Sequence, residues 1–168
     1  MIVNILRNIS LFVDGQGYAG NVDEVVLPKL TIKTEEFRAG GMDAPVEIDQ
    51  GMEKLEATLT ISGIDKTLLA QWGVVQGEHV PLTLRGALRS EEPTVKPVLA
   101  HIRGRIKEID FGTWKPGEKA PMKAMVAVRY YKLELDGEVL HEVDVENMIR
   151  IVNGVDQLAE TRAALGVG

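Results

Sequence analysis

The sequence predicts a mainly β protein of α+β composition: an antiparallel β-sandwich or half-barrel with a short internal helix, a C-terminal helix and a long projecting hairpin. Three observations predict it. Apolar and polar residues alternate with a period of two through Val80–Leu88, Val98–Phe111 and Met122–Leu135. Tight-turn pairs such as Asp136-Gly137 join such runs at hairpin distance. Only two short stretches, Lys66–Trp72 and Asp156–Leu165, carry helical signals.

Taken in order, Ile9–Val13 is a short β-rich run closed by Asp14-Gly15-Gln16-Gly17, which reads as a hairpin turn. A second run, Val22–Leu27, is stopped by Pro28. Between them, Gly15, Gly17 and Gly20 spell G-x-G-x-x-G. A dinucleotide site needs those glycines between a strand and a helix, and the β-branched run that follows is too short for that helix, so the segment is read as a turn. In Leu30–Gly63, one alternating run starts with Leu30, Ile32 and Thr34 on one face, and another ends with Leu55, Ala57, Leu59 and Ile61 on one face. The expectation is that these two runs pair, with Arg38–Gln50 as a long loop between them. Gly40 and Gly41 in that loop allow positive φ and close backbone approach, and Pro45 extends Ala44. Two readings fit so long a connection: it packs on its own sheet, or it projects to meet another subunit.

Asp65 is placed to cap a helix over Lys66–Trp72 that ends at Gly73, with Trp72 expected as a core plug beneath it. Val80–Leu88 is a one-sided strand, and Ser90–Pro97 turns the chain. In Val98–Phe111 the apolar phase shifts near Lys107, which predicts a bulge or bend. Gly112–Pro121 is a second long loop, carrying Trp114. Met122–Leu135 changes phase too, from Met122, Ala124, Val126 and Val128 to Tyr131, Leu133 and Leu135. A strand that changes buried face suits a sheet shared between a core and a neighbouring subunit. Asp136-Gly137 turns into Glu138–Val143, and Asn153-Gly154 is expected to turn into a helix over Asp156–Leu165 with Gly166 as its C′ residue. No repeat or linker divides the chain, so 1–168 is read as one domain.

Composition narrows the functional classes. At 18.4 kDa the chain is long enough for a real core, and a mean hydropathy of -0.01 predicts a soluble globular protein. There is no membrane-length apolar run and no signal-peptide pattern at the N-terminus, so no membrane anchoring is expected. With no Cys, thiol catalysis and Cys-based zinc sites are excluded, and assembly in a reducing cytoplasm fits. A net charge of -6 disfavours nonspecific binding to nucleic acid phosphates. His79, His101 and His141 lie on separate strands at no metal-ligand spacing. Glu142, Asp144 and Glu146 share one strand face, read as a solvated or lumen-facing surface, with a hard-cation site as the alternative. Arg103, Arg105 and Lys107 alternate with apolar residues and are read as intersubunit salt-bridge donors rather than a phosphate site. Ser10, Ser62 and Ser90 lie in no nucleophile elbow, so no catalytic residue, cofactor or metal is assigned.

The run LPKLTIKTEEFRAGGMDAP (Leu27–Pro45), the run RGRIKEID (Arg103–Asp110) and the ending Asn147–Leu158 stand together in order over almost the whole chain. Together they resemble the major tail tube protein of contractile phage tails, and especially the tube subunit of R-type pyocins and related tailocins. The resemblance implies a structural, non-enzymatic subunit. It would form homo-hexameric rings stacked into a hollow tube inside a contractile sheath, begun on tube initiator and baseplate proteins. The tube would be assembled in the bacterial cytoplasm and released in a phage tail or tailocin particle, with DNA in the lumen only in a phage. The tube subunit of a type VI needle, which shares the fold, is the alternative. The resemblance also implies that the long hairpin reaches the neighbouring ring, which makes Arg38, Gly40, Gly41, Met42, Asp43, Pro45, Glu47 and Asp49 the expected ring-stacking residues. The Met1–Asn8 segment and the Trp114 loop are expected to add to those contacts.

Overall fold

The computed structural model describes residues 3–13, 16–17, 22–64, 66–73 and 79–167. The expected cap Asp65 and two glycines of the G-x-G-x-x-G, Gly15 and Gly20, lie outside them.

The fold is mainly β and antiparallel, and one strand organises it. β9 (Pro121–Leu135) pairs along its length with β8 (Val95–Asp110). On its other side, β9 pairs first with β6 (Leu55–Ser62) and then with β10 (Glu138–Asp144). Beyond β8 come β7 (Val80–Arg89) and β1 (Ile5–Val13), with β2 (Gln16–Gly17) returning along the end of β1. Beyond β6 lies β3 (Val22–Val26), and beyond β10 lie β11 (Ile149–Val152) and β12 (Val155–Asp156). The sheet curls until β1 and β3 approach each other across an open seam, which makes a half-barrel.

Two register shifts produce that curl, at the places where the apolar phase changes. Ile106 faces Val126 while Glu108 faces Met125, so Lys107 is the extra residue of a bulge. Arg103 faces Tyr130 while Gly104 faces Val128, so Arg129 is left over in β9. The buried face of β9 accordingly runs Met122, Ala124, Val126 and Val128, then switches to Tyr131. Gly104 is required at the second shift: a Cβ there would lie 2.2 Å from the Ala127 carbonyl oxygen. The core fills the barrel with Leu11, Leu59, Ile61, Leu82, Ile102 and Ile106, and Leu68 of α1 (Lys66–Ala70) enters it from one end. Asp136-Gly137 has φ of 50° and 83°, both positive, as a two-residue hairpin turn of this kind needs.

Four sequence expectations are corrected. The run from Leu30 does not pair with Leu55–Ile61. Instead β4 (Ile32–Phe37) pairs with β5 (Val46–Met52) as a separate two-stranded sheet, and Arg38–Gln50 is no continuous loop. The reason is burial: β6 alternates buried residues and is flanked on both sides, whereas every residue of β4 is exposed. Trp72 is not a core plug; it is 57% exposed, and its indole N–H donates to the carbonyl of the bulged Lys107 at 3.3 Å. The internal helix is shorter than Lys66–Trp72, ending at Ala70. Asn153-Gly154 turns into β12 rather than a helix, so α2 spans only Ala159–Leu165. Asp156 explains the delay. Its carboxylate accepts the Leu158 N–H at 3.1 Å and pairs with Arg162, holding the chain in a turn. Gly166 closes α2 in the left-handed conformation, as expected. Among the described residues, no helix is long and apolar enough to cross a membrane.

Candidate assembly interface

β4 and β5 form a hairpin that stands off the main sheet. Residues 31–50 are exposed throughout except for the half-buried Met42. An isolated two-stranded hairpin is marginal in water, so its anchoring matters. Arg150 Nη2 of β11 pairs with Asp49 Oδ2 at 3.0 Å, and the Glu53 N–H donates to the Thr31 carbonyl at 2.9 Å. The Gly51 N–H donates to Asp49 Oδ1 at 2.7 Å. That bond first, and Arg150 after it, hold the Asp49 carboxyl below its usual range. Between the hairpin base and β10–β11 lies a mostly apolar cleft of about 320 Å³, lined by Leu30, Ile32, Met52, His141 and Ile151 among others.

The two faces of the hairpin differ. The register places Phe37 opposite Val46 and Glu35 opposite Ile48, so Phe37, Val46 and Ile48 share one face. They are 51%, 47% and 42% exposed. On the other face Glu36 lies opposite Glu47, with Thr34 opposite Asp49. Like charges placed directly across strands disfavour a free hairpin. The hairpin thus leaves Phe37, Val46 and Ile48 about half exposed on one face, beside Glu35, and sets Glu36, Glu47 and Asp49 on an acidic face that repels itself.

The expected stacking residues divide accordingly. Glu47 and Asp49 lie on β5, within the acidic face, and Arg38, Gly40, Gly41, Met42, Asp43 and Pro45 form the tip. At the tip the Met42 N–H donates to the Ala39 carbonyl at 3.0 Å, and Arg38 Nε donates to the Met42 carbonyl at 3.1 Å. Gly40 and Gly41 do not use the freedom expected of them. Neither has a positive φ, and a Cβ on either would meet open space. Sequence reasoning missed the face made by Phe37, Val46 and Ile48. Its signal was the alternation of Val46 and Ile48 with Glu47 and Asp49.

The lateral margins are also distinctive. The outward face of β7 and β8 carries Arg85 and Arg103, whose guanidinium groups lie 5.5 Å and 4.1 Å from the ring centres of Phe12 and Tyr130. The outward face of β9 and β10 carries Glu134, Glu142 and Asp144 together with Lys132, which pairs with Glu134 at 3.0 Å. Glu142 accepts the Tyr130 hydroxyl at 2.9 Å, Asp144 accepts from Asn147, and Glu146 pairs with Arg129. These acids are committed within the chain, and no metal-holding group of three or more His, Cys, Asp or Glu occurs among the described residues. Lys107 pairs with Glu56 of its own chain.

The chain matches known proteins along nearly its whole length. Residues 3–166 match the family described as phage tail tube protein FII. The chain is 34% identical over 167 residues to the tail tube protein of Escherichia phage P2, covering 96% of both chains. It is also 34% identical over 166 residues to the major tail tube protein of Serratia phage KSP20, covering 97% of this chain and 96% of the relative. In fold it is similar to a chain of an extracellular contractile injection system, the PVC sheath-tube complex in the extended state. There the TM-score is 0.59 at 10% identity, over 76% of this chain and 88% of that one. A chain of the sheath/tube terminator of the same system gives a TM-score of 0.58 at 10% identity, over 76% and 93% of the two chains.

Proposed function

This chain belongs to the phage tail tube protein FII family, and from that premise we propose how it builds a tube: copies close into hexameric rings, and the rings stack through the β4–β5 hairpin. The observation that carries the proposal is the hairpin itself, a two-stranded sheet standing clear of the core with Phe37, Val46 and Ile48 exposed on one face. A folded monomer gains little from such an element. A repeating assembly gains a contact at every subunit. The tip residues Arg38, Gly40, Gly41, Met42, Asp43 and Pro45, with Glu47 and Asp49 behind them, are the stacking residues of this reading.

Ring closure draws on the sheet margins. On its side away from β7, β1 has no paired strand along Ile5–Leu11 among the described residues, and β12 is the opposite margin. A heterologous contact between the two removes exposed edges and closes when its rotation fits. The basic outward face of β7–β8, with Arg85 and Arg103, favours a head-to-tail order around the ring over a two-fold contact that would set like charges against each other. Six copies multiply the net charge of -6, which favours a lumen that repels nucleic acid and lets it slide.

The role is structural rather than catalytic. The tube is the inner part of a contractile tail of the phage or R-type pyocin kind, assembled in the cytoplasm on a baseplate and enclosed by a sheath protein. Electron microscopy of the purified chain at high concentration tests the reading. Hollow filaments with sixfold end views are expected, and a compact monomer at millimolar concentration and moderate salt would refute it.

A further inference from the structure

The hairpin lies at one end of the barrel, beside the β10–β11 turn, and a second exposed apolar patch lies at the other. In the β6–β9 ladder Leu55 faces Val128 at one end and Ser62 faces Pro121 at the other. The hairpin runs into the Leu55 end through Met52, and the Phe111–Ala120 loop enters at the Pro121 end. Seven strand steps of roughly 3.3 Å place the two ends about 23 Å apart. At the far end Ile64, Phe111 and Trp114 are 59%, 45% and 62% exposed. The loop is held in shape: Phe111 and Trp114 meet edge to face at 6.4 Å, and the indole N–H donates to the Phe111 carbonyl at 3.1 Å. Ile64 and Trp114 line one open hollow there, together with Gly63 and Lys115.

Charge distinguishes the ends. The hairpin, Ile32–Met52, holds two cations against five carboxylates. The stretch Phe111–Lys123 holds three lysines, Lys115, Lys119 and Lys123, against Glu118 alone. Lys119 pairs with Asp23 in its own chain, while Lys115 and Lys123 have no ion pair among the described residues.

We infer that the occupant of the hairpin's apolar face is the Ile64–Phe111–Trp114 patch of a second copy in the next ring, with the lysines around that patch meeting the acidic hairpin. The inference rests on the reading that the hairpin stacks rings, and it names the surface that receives it. Both surfaces expose apolar side chains, and the segments that carry them have opposite net charge. Because they lie at opposite ends of one chain, the contact is heterologous and repeats without limit along the tube.

The chain has no Cys, so engineered cysteines report the contact directly. Ile48→Cys and Ile64→Cys chains are assembled together and treated with an oxidant or a short bismaleimide. Disulfides need close approach, and the bismaleimide extends the reach. A crosslinked dimer is expected from the mixture and none from either variant alone, nor from Ile48→Cys with Val26→Cys. A chain carrying both Ile48→Cys and Ile64→Cys is expected to give a ladder beyond the dimer. Trp114→Ala is expected to raise the critical concentration more than about tenfold, as loss of a central aromatic anchor does. Crosslinking of Ile48→Cys to itself would overturn the inference, because the hairpin would then face another hairpin. Filaments without the mixed crosslink would also overturn it. In that case the stacking reading stands if replacing the hairpin tip abolishes filaments, and falls with it if filaments persist.

Discussion

The apolar face of the hairpin separates folding from assembly. Replacing Phe37, Val46 and Ile48 together with Thr preserves strand propensity while removing the apolar surface. In the monomer these side chains are 51%, 47% and 42% exposed, so about half of each remains to be covered. Full burial of such a side chain contributes about 1.5–3 kcal/mol, so covering the remaining half contributes about 1 kcal/mol. Three together come to about 3 kcal/mol, or roughly 100-fold in the concentration needed for growth. The monomer loses little, because exposed substitutions away from special features change stability by about 0.5 kcal/mol or less. Thermal unfolding followed by circular dichroism, beside pelleting over a concentration series, reads both quantities. Cooperative unfolding close to that of the parent, with a critical concentration raised about 100-fold, is the expected pair. Filaments at the parent's critical concentration would refute the assignment of this face to an interface. Loss of cooperative unfolding would show instead that the face packs within its own chain.

Three further outcomes are expected. Joining Phe37 to Val46 through Asn-Gly in place of Arg38–Pro45 keeps their pairing; stability should change by about 1 kcal/mol or less while filaments are lost, as unfolding and microscopy would report. Gly104→Ala places a Cβ against the Ala127 carbonyl and should cost about 1–3 kcal/mol, lowering the melting temperature by roughly 3–10 °C. Gly40→Ala, which meets open space, is the calorimetric control and should not lower it. Stability should fall at both pH extremes, as denaturant unfolding at a series of pH values would show. The carboxyls of Asp23, Asp49, Glu56 and Asp156 are held below their usual range, chiefly by Ser62, the Gly51 N–H, Lys107 and Arg162 respectively. Their contribution is full above the unfolded value of about 4 and is lost as pH falls through the lowered folded values. On the alkaline side, burial first and the Glu142 contact second raise the Tyr130 phenol to about 12. Its contribution is full below the unfolded value of about 10 and is lost as pH rises toward the folded one. Tyr130→Phe should therefore flatten the alkaline limb, and an unchanged limb would count against the assignment.

The sequence by itself determined what depends on neighbours along the chain. The period of two identified most long strands, because side chains alternate faces wherever a strand buries one of them. Phase changes at Lys107 and in Met122–Leu135 located the bulges, since an extra residue must shift which side chains point inward. Asp136-Gly137 and Gly166 were legible because positive φ narrows the choice of residue. Tertiary structure alone decided what depends on partners distant in sequence. Nothing local to Leu30–Gly63 says that Leu55–Ile61 belongs to β9 and Val22–Val26, so its pairing with the Leu30 run was the wrong choice between compatible strands. Trp72 looked like a plug by its type, yet the half-barrel end was already filled by Leu68, and the indole went to the Lys107 carbonyl at the surface. The face of Phe37, Val46 and Ile48 escaped notice for a related reason. Alternation reports that a strand has an apolar side, but whether that side meets the chain's own core or another copy is a property of the assembled fold.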